Sequence, residues 1–168
     1  QKELITVKNE VDQIQKELAV KLTGYGMARR SLSIKAKDVQ AVLPEGQTLI
    51  EYVQYEQYMG KNRFEPHYGA IVILPQKKPI WLRLNSVDVI DNLLARSTPS
   101  NQVSGKAFEE ILRELYDKLV APILKVIPRG TQTLILSPDG RLNFLSFATV
   151  LTEKNRFLCE DYSIKYVS

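Results

Sequence analysis

With 168 residues, 44% of them apolar, the chain suits one domain, or one and a half, with a real core. A formal charge of +4 and a pI near 9.1 argue against a nucleic-acid surface, because Lys and Arg are spread among 19 acidic residues and the densest basic runs are only Arg29-Arg30 and Lys77-Lys78. A single cysteine, Cys159, excludes an internal disulfide and a thiolate metal site, and no apolar run approaches the ~20 residues that cross a bilayer.

That cysteine usage fits a reducing compartment, so the expected location is cytoplasmic, with no membrane and no direct nucleic-acid partner. The chain opens on Gln1, which reads as a piece of a longer protein. Leu4, Val7, Val11, Ile14, Leu18 and Leu22 then recur at steps of three and four, giving an N-terminal amphipathic helix that Gly24 and Gly26 end. Its seam either packs on its own domain or continues an upstream helical array. Ser31 to Leu43 reads as a short helix capped by Ser33 and closed by Pro44-Glu45-Gly46.

Thr48 to Tyr58 alternates in the manner of a strand with one wetter face. Met59 to Pro66 reads as a polar connection, and Tyr68 to Leu74 as a central strand buried on both faces. Pro75 to Pro79 is a turn with exposed lysines, and Ile80 to Leu84 is the returning strand. Asn85 or Ser86 is expected to cap a helix carrying Val87, Val89, Ile90, Leu93 and Leu94. After a polar loop, Arg96 to Gly105, a longer helix runs through Phe108, Ile111, Leu115 and Leu119 to Pro122, with a further turn from Ala121 to Ile127. Pro128-Arg129-Gly130 releases the chain into the strand Thr133 to Leu136, and the crossover is long enough to make that strand parallel to an earlier one. Ser137-Pro138-Asp139-Gly140 turns it into the apolar stretch Leu142 to Phe147, and Asp161 to Val167 reads as a last strand.

The end of a parallel strand is where α/β proteins place chemistry. Ser137 and Asp139 stand there, and neither has a partner within the stretch. The one histidine, His67, sits beside Pro66 with the surroundings of a loop. Cys159 is flanked by Glu160 and Asp161, which oppose thiolate formation. Glu109-Glu110 and Glu160-Asp161 read as solvated pairs, and Tyr52, Tyr55 and Tyr58 as cover for a sheet face. There is no Walker-type loop, no GxGxxG and no metal-ligand set, so no cofactor, metal or catalytic residue is expected from these residues.

In succession, several segments resemble the N-terminal half of a CHAT domain, the caspase-like module associated with tetratricopeptide (TPR) arrays. They are Val39-Gln40 with Leu43-Pro44 and Thr48 to Tyr52; Leu115-Tyr116, Leu119 and Ala121-Pro122-Ile123; Leu134 to Gly140 with Leu142 to Ala148; and Phe157-Leu158, Asp161-Tyr162 and Tyr166-Val167-Ser168. The resemblance runs from about Ile34 to the end and implies an α/β fold, a mixed, partly parallel sheet flanked by helices in a caspase-like three-layer sandwich. Residues 1–30 would be a linker helix and 31–168 the non-catalytic half. It also implies a cysteine endopeptidase as parent, with the His–Cys dyad downstream of Tyr166-Val167-Ser168, so that neither His67 nor Cys159 corresponds to it. The chain alone would be the inactive scaffold or pseudo-peptidase portion, partnered by the downstream catalytic half, upstream TPR-like repeats and a protein substrate or regulator. A non-enzymatic protein-protein interaction module is the alternative.

Overall fold

The computed structural model describes residues 34–97 and 105–167. The expected helix over Leu4 to Leu22, the Ser33 cap and most of the Arg96 to Gly105 loop lie outside them. The chain divides into two units, Gln1–Val39 and Gln40–Ser168. The account below concerns the second, apart from the short helix α1 (Ala36–Val42) at the division. The Asp38 carboxylate accepts the Lys35 N–H at 2.9 Å, and none of the α1 residues is buried. Val39 and Gln40 are half-buried, and Leu43, just beyond the helix, is buried.

Five strands form one sheet in the order β3-β2-β1-β4-β5. β1 (Gln47–Gly60) and β2 (Arg63–Ile73) form an antiparallel hairpin, and β3 (Ile80–Ser86) returns beside β2. The turn between β2 and β3 exposes Lys77 and Lys78, as the prolines around them suggested. Met59 to Pro66 is not a connection. It is the tip of the hairpin, where Gly60, Lys61 and Asn62 all take positive φ (88°, 50° and 55°), the backbone sense a tight hairpin needs. Pro66 suggested a break, yet it pairs with Glu56 beyond the point where β3 ends, so no neighbouring strand requires its missing N–H.

β3 passes straight into α2 (Val87–Arg96). Ser86 occupies the cap position but is still extended, and its side chain makes no capping bond. After the loop, α3 (Lys106–Leu119) and α4 (Ala121–Leu124) carry the chain back to β4 (Thr133–Ser137). β4 lies parallel to β1, with Gln47 opposite Thr133 and Glu51 opposite Ser137. Two 3-10 turns, Gly140–Phe144 and Phe147–Thr149, follow, then α5 (Leu158–Asp161) and β5 (Ser163–Tyr166), parallel to β4. The mixed, partly parallel sheet with its helices is the α/β class expected and is consistent with a caspase-like sandwich.

The core lies where alternate strand residues meet helix faces. Thr48, Ile50 and Tyr52 of β1, Ala70 and Val72 of β2 and Leu134 and Leu136 of β4 are buried on one side of the sheet. Ile90, Leu93 and Leu94 of α2 and Ile111, Leu115 and Leu119 of α3 meet them in a single cluster, completed by Leu142, Phe147 and Leu158. Each large side chain contributes about 1.5–3 kcal/mol by leaving water. On the other side Leu49, Val53, Ile71 and Ile135 are only half-buried. No helix among the described residues is long and apolar enough to cross a membrane.

Candidate functional site

β1 has 14 residues and β4 has 5, so β1 outruns its parallel neighbour at the carboxyl end of β4. The Asp139 turn is built into that step. Asp139 Oδ1 accepts the Gly140 N–H at 2.7 Å, and Oδ2 accepts the Gln54 N–H of β1 at 2.9 Å. The carboxylate thus stands where the next carbonyl of β4 would have been, ending the ladder without orphaning Gln54. Gly140 has a φ of +55°, the backbone sense that favours glycine, and a Cβ on it would lie 2.1 Å from Gln54 Nε2, so that side chain would have to move.

Behind the turn a polar network ties three more elements together. Gln54 Nε2 donates to the Tyr68 hydroxyl of β2 at 2.8 Å, and that hydroxyl donates to Asp91 Oδ1 of α2 at 3.3 Å. The backbone N–H of Arg141 also meets the Tyr68 hydroxyl, and the Arg141 guanidinium lies 3.8 Å from the Asp91 carboxylate. Burial, with the Asp91 charge beside it, pushes the Tyr68 hydroxyl above its ordinary pKa and keeps it protonated. The turn is therefore rigid and satisfied. With both carboxylate oxygens committed to backbone N–H groups, Asp139 serves as a clamp.

Sequence candidates for chemistry are not assembled here. Ser137 is half-buried and faces Glu51 across the ladder. His67 is inside β2, not in a loop, paired with Tyr55 and Ser86, with Nδ1 3.2 Å from the Glu65 carbonyl oxygen. Cys159 is exposed on α5, just before β5. β2 and β5 are separated by β1 and β4, about 14 Å across the sheet. Moreover, His67 lies level with Tyr55, eight residues along β1 from the end at which β5 begins, about 26 Å further. The two cannot form a nucleophile-base pair.

The acidic pairs are local as well. Glu109 and Glu110 are exposed on α3. Glu160 Oε1 accepts the Phe157 N–H at 2.7 Å, capping α5, while Arg156 approaches Glu160 at 3.5 Å and Asp161 at 3.2 Å. The three tyrosines do not share a face. Tyr52 is buried, its hydroxyl donating to the Leu119 carbonyl at 3.2 Å and its ring 5.0 Å from Phe147. Burial moves its pKa far upward, with Tyr166 adding to the shift. Tyr55 lies on the opposite face against Trp81 and His67, and Tyr58 is exposed at the tip beside Phe64. An apolar cleft of about 640 Å³ lined by Phe108, Leu112, Leu151 and Phe157, and a polar one of about 330 Å³ lined by Tyr116, Tyr162, Glu153 and Arg129, contain neither His67 nor Cys159. Among the described residues no group of three His, Cys, Asp or Glu side chains is placed to hold a metal.

What sequence reasoning missed is the partnership of Gln54 with Asp139, 85 residues away. Its only trace was the glycine after Asp139.

Residues 109–168 match the family model of the CHAT domain. The matched span covers 60 of the 168 residues, and β1 to β3 lie outside it. No curated protein matches the chain.

Proposed function

We propose that this chain is the scaffold half of a CHAT-family, caspase-like cysteine endopeptidase, inactive alone, that supports a downstream catalytic half and contacts upstream TPR-like repeats in the cytoplasm. The observation that carries the reading is the CHAT match over a segment whose strand-end turn is fully committed to structure. Its one histidine and one cysteine lie at opposite ends of the sheet, which supports a supply of the dyad from elsewhere. β5, with Lys165 and Tyr166 exposed, is an edge strand of the described sheet, the position at which a downstream strand would join. A protein substrate or regulator would then be met by the assembled halves. The alternative, a non-enzymatic interaction module, draws support from the exposed Tyr58, Met59 and Phe64 of the projecting hairpin.

The test is covalent labelling by a cysteine-peptidase probe. The chain is assayed alone and joined to the native sequence that follows it in its parent, with thermal melts of both. Labelling at a cysteine outside residues 1–168, together with a higher melting temperature for the joined protein, supports the reading. Peptidase activity of the 168-residue chain alone, or a joined protein that is neither labelled nor stabilised, overturns it.

A further inference from the structure

Beyond Gln54 the β1–β2 hairpin leaves the sheet as a two-stranded ribbon. Strand residues point their N–H and C=O to alternate sides. The Gln54 N–H points away from β2, to Asp139, so those of Glu56 and Tyr58 point the same way. No strand pairs with them there among the described residues, since β4 ends opposite Glu51. The Tyr58 carbonyl is met by Gln57 Nε2 at 3.1 Å, which leaves the Glu56 N–H and C=O and the Tyr58 N–H facing outward.

The two edges of the ribbon differ. The β2 edge is blunted by Pro66, which has no N–H to offer. The β1 edge has no such guard, the situation in which another strand adds. Its side chains also have a pattern. Glu56 is exposed and, among the described residues, no cation pairs with it. Two residues on, on the same face, Tyr58 is 55% exposed with its ring 5.3 Å from that of Phe64.

We propose that the free edge of β1 at Glu56 and Tyr58 is a docking site for an extended segment of a partner protein. The segment carries a basic residue and, two positions away, an apolar one. The backbone spacing of donors and acceptors fits an extended polypeptide and no other common ligand. Charge complementarity places the basic side chain opposite Glu56, and the Tyr58–Phe64 ring pair receives the apolar one. The surface is independent of the peptidase reading.

The experiment uses the full chain and a labelled seven-residue probe of alternating threonines bearing an arginine and, two residues on, a phenylalanine. Amide exchange is followed residue by residue by NMR. At a probe concentration about ten times its Kd, exchange at Glu56 and Tyr58 slows about elevenfold, because opening then requires dissociation. The variant E56K keeps the backbone N–H and switches the preference to a probe with glutamate in place of arginine. E56P removes the N–H and abolishes protection; should it fail to fold, E56K with the two probes carries the decision alone. Probe binding that protects other amides, equal affinity of E56K for both probes, or no binding at millimolar concentration overturns the proposal. So does protection that rises with protein concentration in the absence of probe, which assigns the edge to a second copy of the chain.

Discussion

Gly140→Ala separates a required glycine from an incidental one. An L-residue held at a φ of +55° costs about 1–2 kcal/mol. The new methyl also meets Gln54 Nε2 at 2.1 Å and Cδ at 2.8 Å. These atoms are the far end of a flexible side chain, so Gln54 swings away rather than the backbone moving, and its bond to Tyr68 is lost for about 1 kcal/mol more. The sum is about 2–3 kcal/mol, or a fall of about 6–9 °C in Tm for a domain of this size. Chemical denaturation of Gly140→Ala, Gln54→Ala and the double variant measures it. Gln54→Ala alone loses only the side-chain bond, and in the double variant that loss is counted once, so the two changes couple by about 1 kcal/mol. Strict additivity, or a cost for Gly140→Ala below that of Gln54→Ala, refutes the reasoning.

Gly69→Ala places a methyl 2.2 Å from the Trp81 ring that lies across β2, and because Trp81 is the sole tryptophan its emission reports the displaced ring by a red shift; unchanged emission contradicts the packing. Tyr52→Phe removes the bond to Leu119 and costs about 1 kcal/mol at neutral pH. Its further effect is on alkaline stability. The folded state holds the Tyr52 phenol neutral well above its ordinary value, whereas in the unfolded chain it ionises near pH 10. Its contribution is therefore full below pH 10 and is lost as pH rises beyond, by up to about 1.4 kcal/mol per pH unit. The variant loses less stability than the parent between pH 10 and 11, and equal slopes in denaturation contradict the burial argument.

The periodic parts of the fold were legible. Tyr68 to Leu74 is apolar at every position because both faces of this segment are covered, all but the half-buried Ile71 being buried, and the long crossover through α2 and α3 fixed β4 as parallel. The hairpin tip was not legible, because polar residues and Pro66 mark a loop when the sheet is imagined as uniformly wide. In the folded chain that tip projects past β3 and β4, where an exposed strand carries the composition of a loop. Likewise His67 looked like a loop residue only because its neighbours are ribbon residues. At the candidate site, Asp139-Gly140 was legible as a turn, but its bond to Gln54 depends on the length difference between two strands far apart in sequence, which no local pattern encodes.

That length difference links the fold to the proposed roles. Had β4 continued, its carbonyl would have met the Gln54 N–H and the next residues would have covered the edge of β1 out to Tyr58. The Asp139 carboxylate supplies one acceptor and then turns the chain away through Gly140, so pairing stops after a single residue. The same turn draws in Tyr68, Asp91 and Arg141, which hold the carboxyl end of β4 against β2 and α2. A rigid end to the parallel ladder and an open edge beside it are thus two consequences of one substitution, a side-chain carboxylate for a backbone carbonyl. Under the scaffold reading, the rigid end is what a catalytic half would be built against, and the open edge is where a second polypeptide would enter without displacing any existing strand.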